Sequence, residues 1–424
     1  MRERWSHRNH KEAIASRQAR LRQLAGWQPD SECVFDWAVN PDQLGRYQEC
    51  LTGQMVLPVG VVGPMEMELG RYRTAANGDV QEIERYRDIL YVPLAHTEGG
   101  LSVSMLRGMQ ATAESGGIRT YLLHNEMTRD CAFVFNSADQ AMAFSRWVDS
   151  NKASLTKWVN DPDNLWKKPR PGESTASLSS HATLVAISTR IVGPVCHLLY
   201  RFHTGEACGP NMITRNAFGL NQEVVERSAS MGHRPLHIFL EANLGGDKKP
   251  SYEYYAGGHG KTVLATTTLT HSVLRNRLHI DADALQELEW VGLHGAHVSG
   301  MQSFAFTPAS AIAAIFAATG QDLGMVGTSS MAHGVVRRVP EGVTFSLQLG
   351  GIEVGTVGGG TGLPHAQAYL RLMQCTGVGS AERLAQIIAA AALALEVSAA
   401  SSMASRGSEN FFQAHLERGG LRRS

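Results

Sequence analysis

The chain has 424 residues, enough to bury a large core divided over two or three domains. Its 39 basic and 39 acidic side chains cancel, which excludes the basic excess of an electrostatic nucleic-acid binder. The six cysteines form no CxxC pair, so neither a disulfide framework nor a zinc site is indicated, no metal is expected, and a reducing cytoplasm is the predicted location.

Residues 1–47 read as a helical arm, and its start, MRERWSHRNHKEAIASRQARLRQLAG, is basic and amphipathic without the apolar segment of a signal peptide. LPVGVVGPMEMEL predicts a turn and a strand, its valines set between Pro58, Gly60, Gly63 and Pro64. SVSMLRGMQATAESGG predicts a helix opened by HTEGG and closed by Gly116 and Gly117. From about 131 the texture changes. AFVF and the helical DQAMAFSRWVDSNKASLTKWV precede a Pro- and Lys-containing loop at 161–173. ATLVAIST, CHLLYRFHT and HIFLEAN follow as strands, with a helix inside GPNMITRNAFGLNQEVVERSASMG, so residues 131–240 read as an inserted α+β domain. Beyond 260 come Ala-rich helices such as PASAIAAIFAATGQD and a glycine-dense strand pair around GIEVGTVGGGTGL. The most apolar helical stretch, IIAAAALALEVSAA, is shorter than the ~20 residues of a membrane span, and no membrane partner is expected.

Four ionisable residues sit in short stretches rich in small residues: Glu98 in AHTEGGL, Lys248 in GGDKKP, Asp322 in ATGQDLG and His415 in QAHLERGG. Each has a structural explanation. Glu98 can answer a helix macrodipole, Asp322 can cap a turn, DKKP can be a solvated turn and His415 an exposed helical residue. GGDKKP nevertheless describes a shaped loop, since Gly245 and Gly246 free the backbone and Pro250 stiffens the exit. A lysine on such a loop can be aimed at developing negative charge.

In order along the chain, PVGVVGP, TEGGL, TGEACGPNM, DKKP, GQD and GTVGGGTGL resemble the signatures of the HMG-CoA reductase family, over residues 48 to about 418. The resemblance implies an α+β fold. A large substrate-binding domain with a long central helix (48–130 and 241–424) is interrupted by a small, non-Rossmann dinucleotide-binding domain at 131–240. It also implies a homodimer as the minimum unit, with the active site between subunits. The implied reaction is the NADPH-dependent reduction of 3-hydroxy-3-methylglutaryl-CoA to mevalonate and CoA through a thiohemiacetal and an aldehyde, with NADH as an alternative donor.

By the same resemblance, Lys248 stabilises the oxyanion, Asp322 orients the lysine, Glu98 supplies a proton and His415 protonates the CoA thiolate. Glu206, Gly209, Pro210, Asn211 and Met212 of TGEACGPNM, which is no GxGxxG fingerprint, are the cofactor-binding candidates. Arg129, Ser104, Arg107, Asn243 and Lys249 are the substrate-binding candidates, with Ser104 and Arg107 near CoA. The glycines of GTVGGGTG read equally as a ligand contact or as a packed hairpin.

Several positions depart from the family pattern. Glu206 replaces an aspartate. Ser272 stands where a lysine contacts the substrate carboxylate, Ser310 where an asparagine supports the lysine network, and Cys50 where the ENxxG dimer stretch has asparagine. About three extra residues precede Ala414 and His415. Loss of the lysine leaves two substrate readings: HMG-CoA held by Arg129, or another acyl thioester. A non-catalytic binding homologue is the third reading, opposed by the retention of Glu98, Lys248 and Asp322.

Overall fold

The computed structural model describes residues 8–23, 29–44, 47–75, 77–169, 174–231 and 234–418. Parts of the expected arm and of the 161–173 loop therefore lie outside the described residues. Within the arm, the described chain is a helix, Lys11–Arg22, followed by short turns at Pro29–Phe35 and Pro41–Leu44. Arg17 fastens the arm to the ECLTG stretch, donating to the Leu51 carbonyl at 3.0 and 2.6 Å.

Among the described residues, nine strands organise the body. β1 (Val59–Thr74) and β2 (Val80–Ala95) form a long antiparallel hairpin, and β1 lies parallel to the start of β3 (Ile118–Val134). β4 is Thr183–Val192, β5 Val195–His203, β6 His237–Phe239, β7 Gly260–Thr270, β8 Ala332–Val339 and β9 Gly342–Ile352. The main path runs β2-β1-β3-β7-β9-β8. β3 serves two neighbourhoods: Arg119 to Glu126 pair with β7, whereas Met127 to Val134 pair with β5. From Asp130 onward both faces of β3 are buried almost throughout: helices Ala138–Asn160 and Pro210–Ser228 share a second core with Cys131, Phe133, Leu198 and Tyr200 on one face, and Asp130 on the other meets His197 and the Leu244 N–H.

The first core surrounds the helix Ser380–Ala404, here called the central helix. It has 25 residues, so the apolar stretch read from the sequence was too short an estimate. It is the one helix among the described residues long and apolar enough to cross a membrane, yet 83% of its apolar window is buried inside the fold. Alanine makes this possible. Ala389 to Ala392 and Ala394 are fully buried, and a Cβ at Gly108 would stand 1.7 Å from the Ala394 carbonyl. Only small residues allow two helices to approach so closely. Gln386 sets the axial position, exchanging hydrogen bonds with Gly70 N (3.0 Å) and O (2.9 Å) and accepting one from Thr120 (2.9 Å). In a buried amide so completely paired, the hydrogen bonds offset the desolvation cost.

Helix Leu101–Glu114 lies antiparallel to the central helix. Gly108 meets Ala394, and Arg107 donates to Ser398 Oγ at 3.0 Å and to Ser402 Oγ. Residues 98–101 therefore sit at the C-terminal end of the central helix.

Two expectations need correction. The strand expected over HIFLEAN is only His237–Phe239, since the chain then turns to offer Glu241 to Arg129 and takes φ 71° at Asn243. GIEVGTVGGGTGL is not a strand pair. β9 ends at Ile352, and the glycines form irregular chain with one 3-10 turn, Gly359–Gly362. Gly358 and Gly359 have φ of 82° and 53°, which a strand cannot hold. The packed-hairpin reading thereby falls.

Candidate active site

The loop at 245–250 is built around backbone crowding. A side chain at Gly245 would press on the Asp130 amide, and Gly246 has φ 77°. Lys248 itself takes φ 55°, a conformation a bulky residue adopts only where its surroundings impose it. Arg129, buried beneath the loop, imposes part of it by pairing with Asp247 at 2.9 Å and with Glu241. Lys249 is exposed and reaches Glu241 at 3.6 Å, and the backbone N–H of Asn243 donates to Glu241 Oε1 at 3.0 Å. Arg129 thus acts here as a strut of the lysine loop.

Lys248 Nζ lies 2.7 Å from Asp322 Oδ2, each side chain about half exposed, while Gly324 N–H holds the other carboxylate oxygen at 2.9 Å. The hydrogen bond to Asp322 holds the lysine above its ordinary pKa, and the charges of Asp322, Asp247 and Glu353 add to this against partial burial. Burial pushes Asp322 up, but the Lys248 hydrogen bond and charge and the Gly324 N–H outweigh it, so its pKa falls below the usual carboxylate range. The ammonium stays charged at neutral pH and faces solvent.

Beneath Lys248 lies a group that the sequence reading missed. Asp247, His259 and Glu353 bring their side-chain oxygen and nitrogen atoms within 4.8 Å of one another, and His259 and Glu353 are fully buried. The set has the donor chemistry of a cation site, but Lys248 and Arg129 already place positive charge beside it. The one local signal was glycine on both sides of His259 in GGHGK.

The TGEACGPNM stretch belongs to the same end of the molecule. Glu206 does not project as a free acid: its carboxylate accepts from Gly379 N (2.6 Å), Ser380 Oγ (3.0 Å) and Ala381 N (2.7 Å), capping the central helix. Its carbonyl accepts from Thr356 N at 2.8 Å, and a Cβ at Gly355 would stand 2.4 Å from Cys208 N, so the glycine-rich segment lies directly against this loop. Gly209 has φ 93° and opens helix Pro210–Ser228, whose N-terminus has no side-chain cap. Asn211 is exposed there, beside the half-buried Met212.

The remaining candidates lie elsewhere. Glu98 is exposed in the turn before helix Leu101–Glu114, and Ser104 and Arg107 follow on that helix. His415 is exposed on helix Glu409–Arg418, with Nδ1–H donating to the Phe411 carbonyl at 2.8 Å, and this helix adjoins the C-terminal end of the central helix. Asp322 is tied to the opposite end, since Gln321 exchanges hydrogen bonds with Gly355 and the next residue, Thr356, bonds Ser380. At 1.5 Å per residue the two ends are about 36 Å apart. One chain therefore brings Lys248 to Asp322 but brings neither to Glu98 or His415. Ser272 is exposed just beyond the end of β7 remote from His259 and accepts from Asn276 Nδ2 at 3.1 Å.

Comparison with known proteins identifies the family. The profile described as hydroxymethylglutaryl-coenzyme A reductase matches residues 13–419. The chain is 29% identical over 378 residues to the 3-hydroxy-3-methylglutaryl-coenzyme A reductase of Pyrococcus horikoshii, covering 87% of this chain and 84% of that one. It is 32% identical over 424 residues to the enzyme of the same name from Aeropyrum pernix, covering 98% and 91%. Its fold resembles the class II 3-hydroxy-3-methylglutaryl-CoA reductase from Streptococcus pneumoniae bound to NADPH in open conformations, with TM-score 0.61 at 18% identity, covering 92% of this chain and 97% of the other. The motifs, the α+β fold and the profile match together place the chain in the hydroxymethylglutaryl-coenzyme A reductase family.

Proposed function

We propose that this protein is a homodimeric, NADPH-dependent reductase that converts HMG-CoA to mevalonate and free CoA, in active sites shared between subunits. The observation that carries the reading is the 2.7 Å Lys248–Asp322 pair on a constrained loop in a member of this family.

Four-electron reduction of a thioester passes through a thiohemiacetal, which collapses to an aldehyde and a thiolate, and the aldehyde is then reduced to the alcohol. NADPH supplies the hydride for both reductions. Each reduction drives negative charge onto the carbonyl oxygen, and a pre-oriented ammonium stabilises that charge most in the transition state. Lys248 has this role and Asp322 keeps it charged and aimed. Glu98 hands a proton to the oxygen. His415, whose Nδ1–H is committed to Phe411, presents Nε2 to the CoA thiolate and protonates it before it can add back.

The cofactor role falls to the unit at 131–240. The uncapped N-terminus of helix Pro210–Ser228 suits a dinucleotide phosphate, with Asn211 exposed beside it. Glu206 has its charge engaged at the central helix and does not oppose an anionic ligand there.

The positions of the four residues support a dimer. Glu98 and His415 stand at one end of the central helix and Lys248 and Asp322 at the other, so a two-fold axis that brings opposite ends of two copies together completes two identical sites. A second substrate reading is kept for one reason: Ser272 offers no cation to a distal carboxylate, which leaves room for another acyl thioester. Incubation of the purified protein with HMG-CoA and NADPH, with the product identified by mass, decides between them. Mevalonate supports the reading. Turnover of a carboxylate-free acyl-CoA alone favours the second, and no reduction of either overturns both.

A further inference from the structure

His259 lies where two segments meet. On one side, its Nδ1 is 2.6 Å from Thr128 Oγ1 and 3.2 Å from Thr128 N. The same hydroxyl is 2.6 Å from the Gly245 carbonyl, three residues before Lys248. On the other side, Nε2 is 3.4 Å from Glu353 Oε2, and Asp247 closes the group within 4.8 Å. Glu353 in turn accepts from the Thr328 hydroxyl, and its backbone N–H donates to Ser329 Oγ at 3.1 Å. Thr328 and Ser329 belong to the short helix that follows the Asp322 turn directly. The imidazole therefore stands between the loop that carries Lys248 and the segment that carries Asp322.

The ring is fixed at its Nδ1 edge by the Thr128 hydroxyl and backbone N–H, and its Nε2 edge faces the two carboxylates. Two carboxylates this close repel each other in a buried setting unless a donor lies between them. Positive charges nearby are the Lys248 ammonium, the buried Lys261, whose Nζ donates to the Val354 carbonyl at 3.2 Å, and the Arg129 guanidinium, already bonded to Asp247.

We propose that His259 is a positioning residue for Lys248: its ring, wedged between Thr128 and the Asp247–Glu353 pair, spaces the two segments and so sets the distance between Lys248 and Asp322. This rests on the reading of Lys248 as the oxyanion-stabilising group. His259 touches no substrate and acts only through the loop.

Two amide substitutions separate the halves of the ring. His259→Asn keeps a polar atom at the Thr128 side and withdraws from Glu353, whereas His259→Gln reaches the Nε2 position. The expected result is a kcat for His259→Asn lowered roughly 10- to 100-fold, the scale of an ångström-level misplacement. KM for HMG-CoA and NADPH should stay near wild type, and His259→Gln should restore most of kcat. A second readout does not depend on turnover. Lys248 is labelled with trinitrobenzenesulfonate at fixed pH and followed by peptide mass spectrometry, and it should react faster in His259→Asn, because a loosened Asp322 pair no longer keeps the amine protonated. Wild-type kcat and labelling rate in His259→Asn overturn the proposal. So does an equal loss in both variants with a fall in melting temperature, which marks a merely structural residue. If the wild-type protein reduces no HMG-CoA, the functional reading fails, and the labelling comparison still decides the positioning role.

Discussion

Lys248 and Asp322 are 74 positions apart in sequence and 2.7 Å apart in space, and each depends on backbone constraints outside itself. The lysine is held at φ 55° by a loop tied to Arg129, and the aspartate is fixed by Gly324 N–H. Their pairing has consequences that kinetics can read.

Lys248→Ala should fold normally, because glycine, proline and Arg129 shape the loop while the lysine side chain is half exposed. Turnover of HMG-CoA should fall by at least ~100-fold, the cost of deleting one strong oxyanion donor. Steady-state kinetics on the folded variant are the measurement, and turnover near wild type would defeat the assignment.

Asp322→Asn should move the alkaline limb of the kcat–pH profile to lower pH. Asp322 is the first cause of the raised Lys248 pKa, so its loss lets the ammonium deprotonate earlier. The sign for stability is the same. A lysine with a raised folded pKa adds stability below its unfolded pKa, and that stability is lost as pH rises through the folded value. Both groups are about half exposed, so solvent screening keeps this stability term small and the kinetic limb is the sharper measurement. An alkaline limb unchanged in the variant counts against the pairing.

Inactive variants should complement each other across the dimer. Glu98→Gln and Lys248→Ala are each expected to be inactive alone. In a mixed dimer, one site combines the intact Glu98 of one chain with the intact Lys248 of the other, so about half of wild-type activity should return. Differently tagged chains, co-expressed and purified by both tags, provide the test. A mixed dimer with no activity would place all the catalytic groups within one chain.

His415→Gln should damage thioester reduction far more than reduction of the free aldehyde, which releases no thiolate. The two substrates are compared under the same conditions. Equal losses on both would make the residue structural.

Much of this was legible in the sequence because it depends on local backbone chemistry. Gly116 and Gly117 end the helix Leu101–Glu114 as their φ of 101° and 93° require, and GGDKKP announced a constrained lysine before its partner was visible. The ordered motifs carried the family, and Asp322 followed from GQD. Tertiary structure decided the rest. His259 meets Glu353 because β7 and β9 pair in a register that sets Lys261 opposite Ile352, and no local pattern encodes a register between strands some 90 residues apart. The glycines of TVGGGTG looked like strand because their neighbours are β-formers, yet Gly360 is pressed against Gly320 across the GQD turn, a contact that excludes a side chain. The central helix was read too short because its ends carry Glu382, Gln386 and Ser402. Only the folded chain supplies the partners, Asn125, Gly70 and Arg107, that let those polar residues pack into one continuous helix.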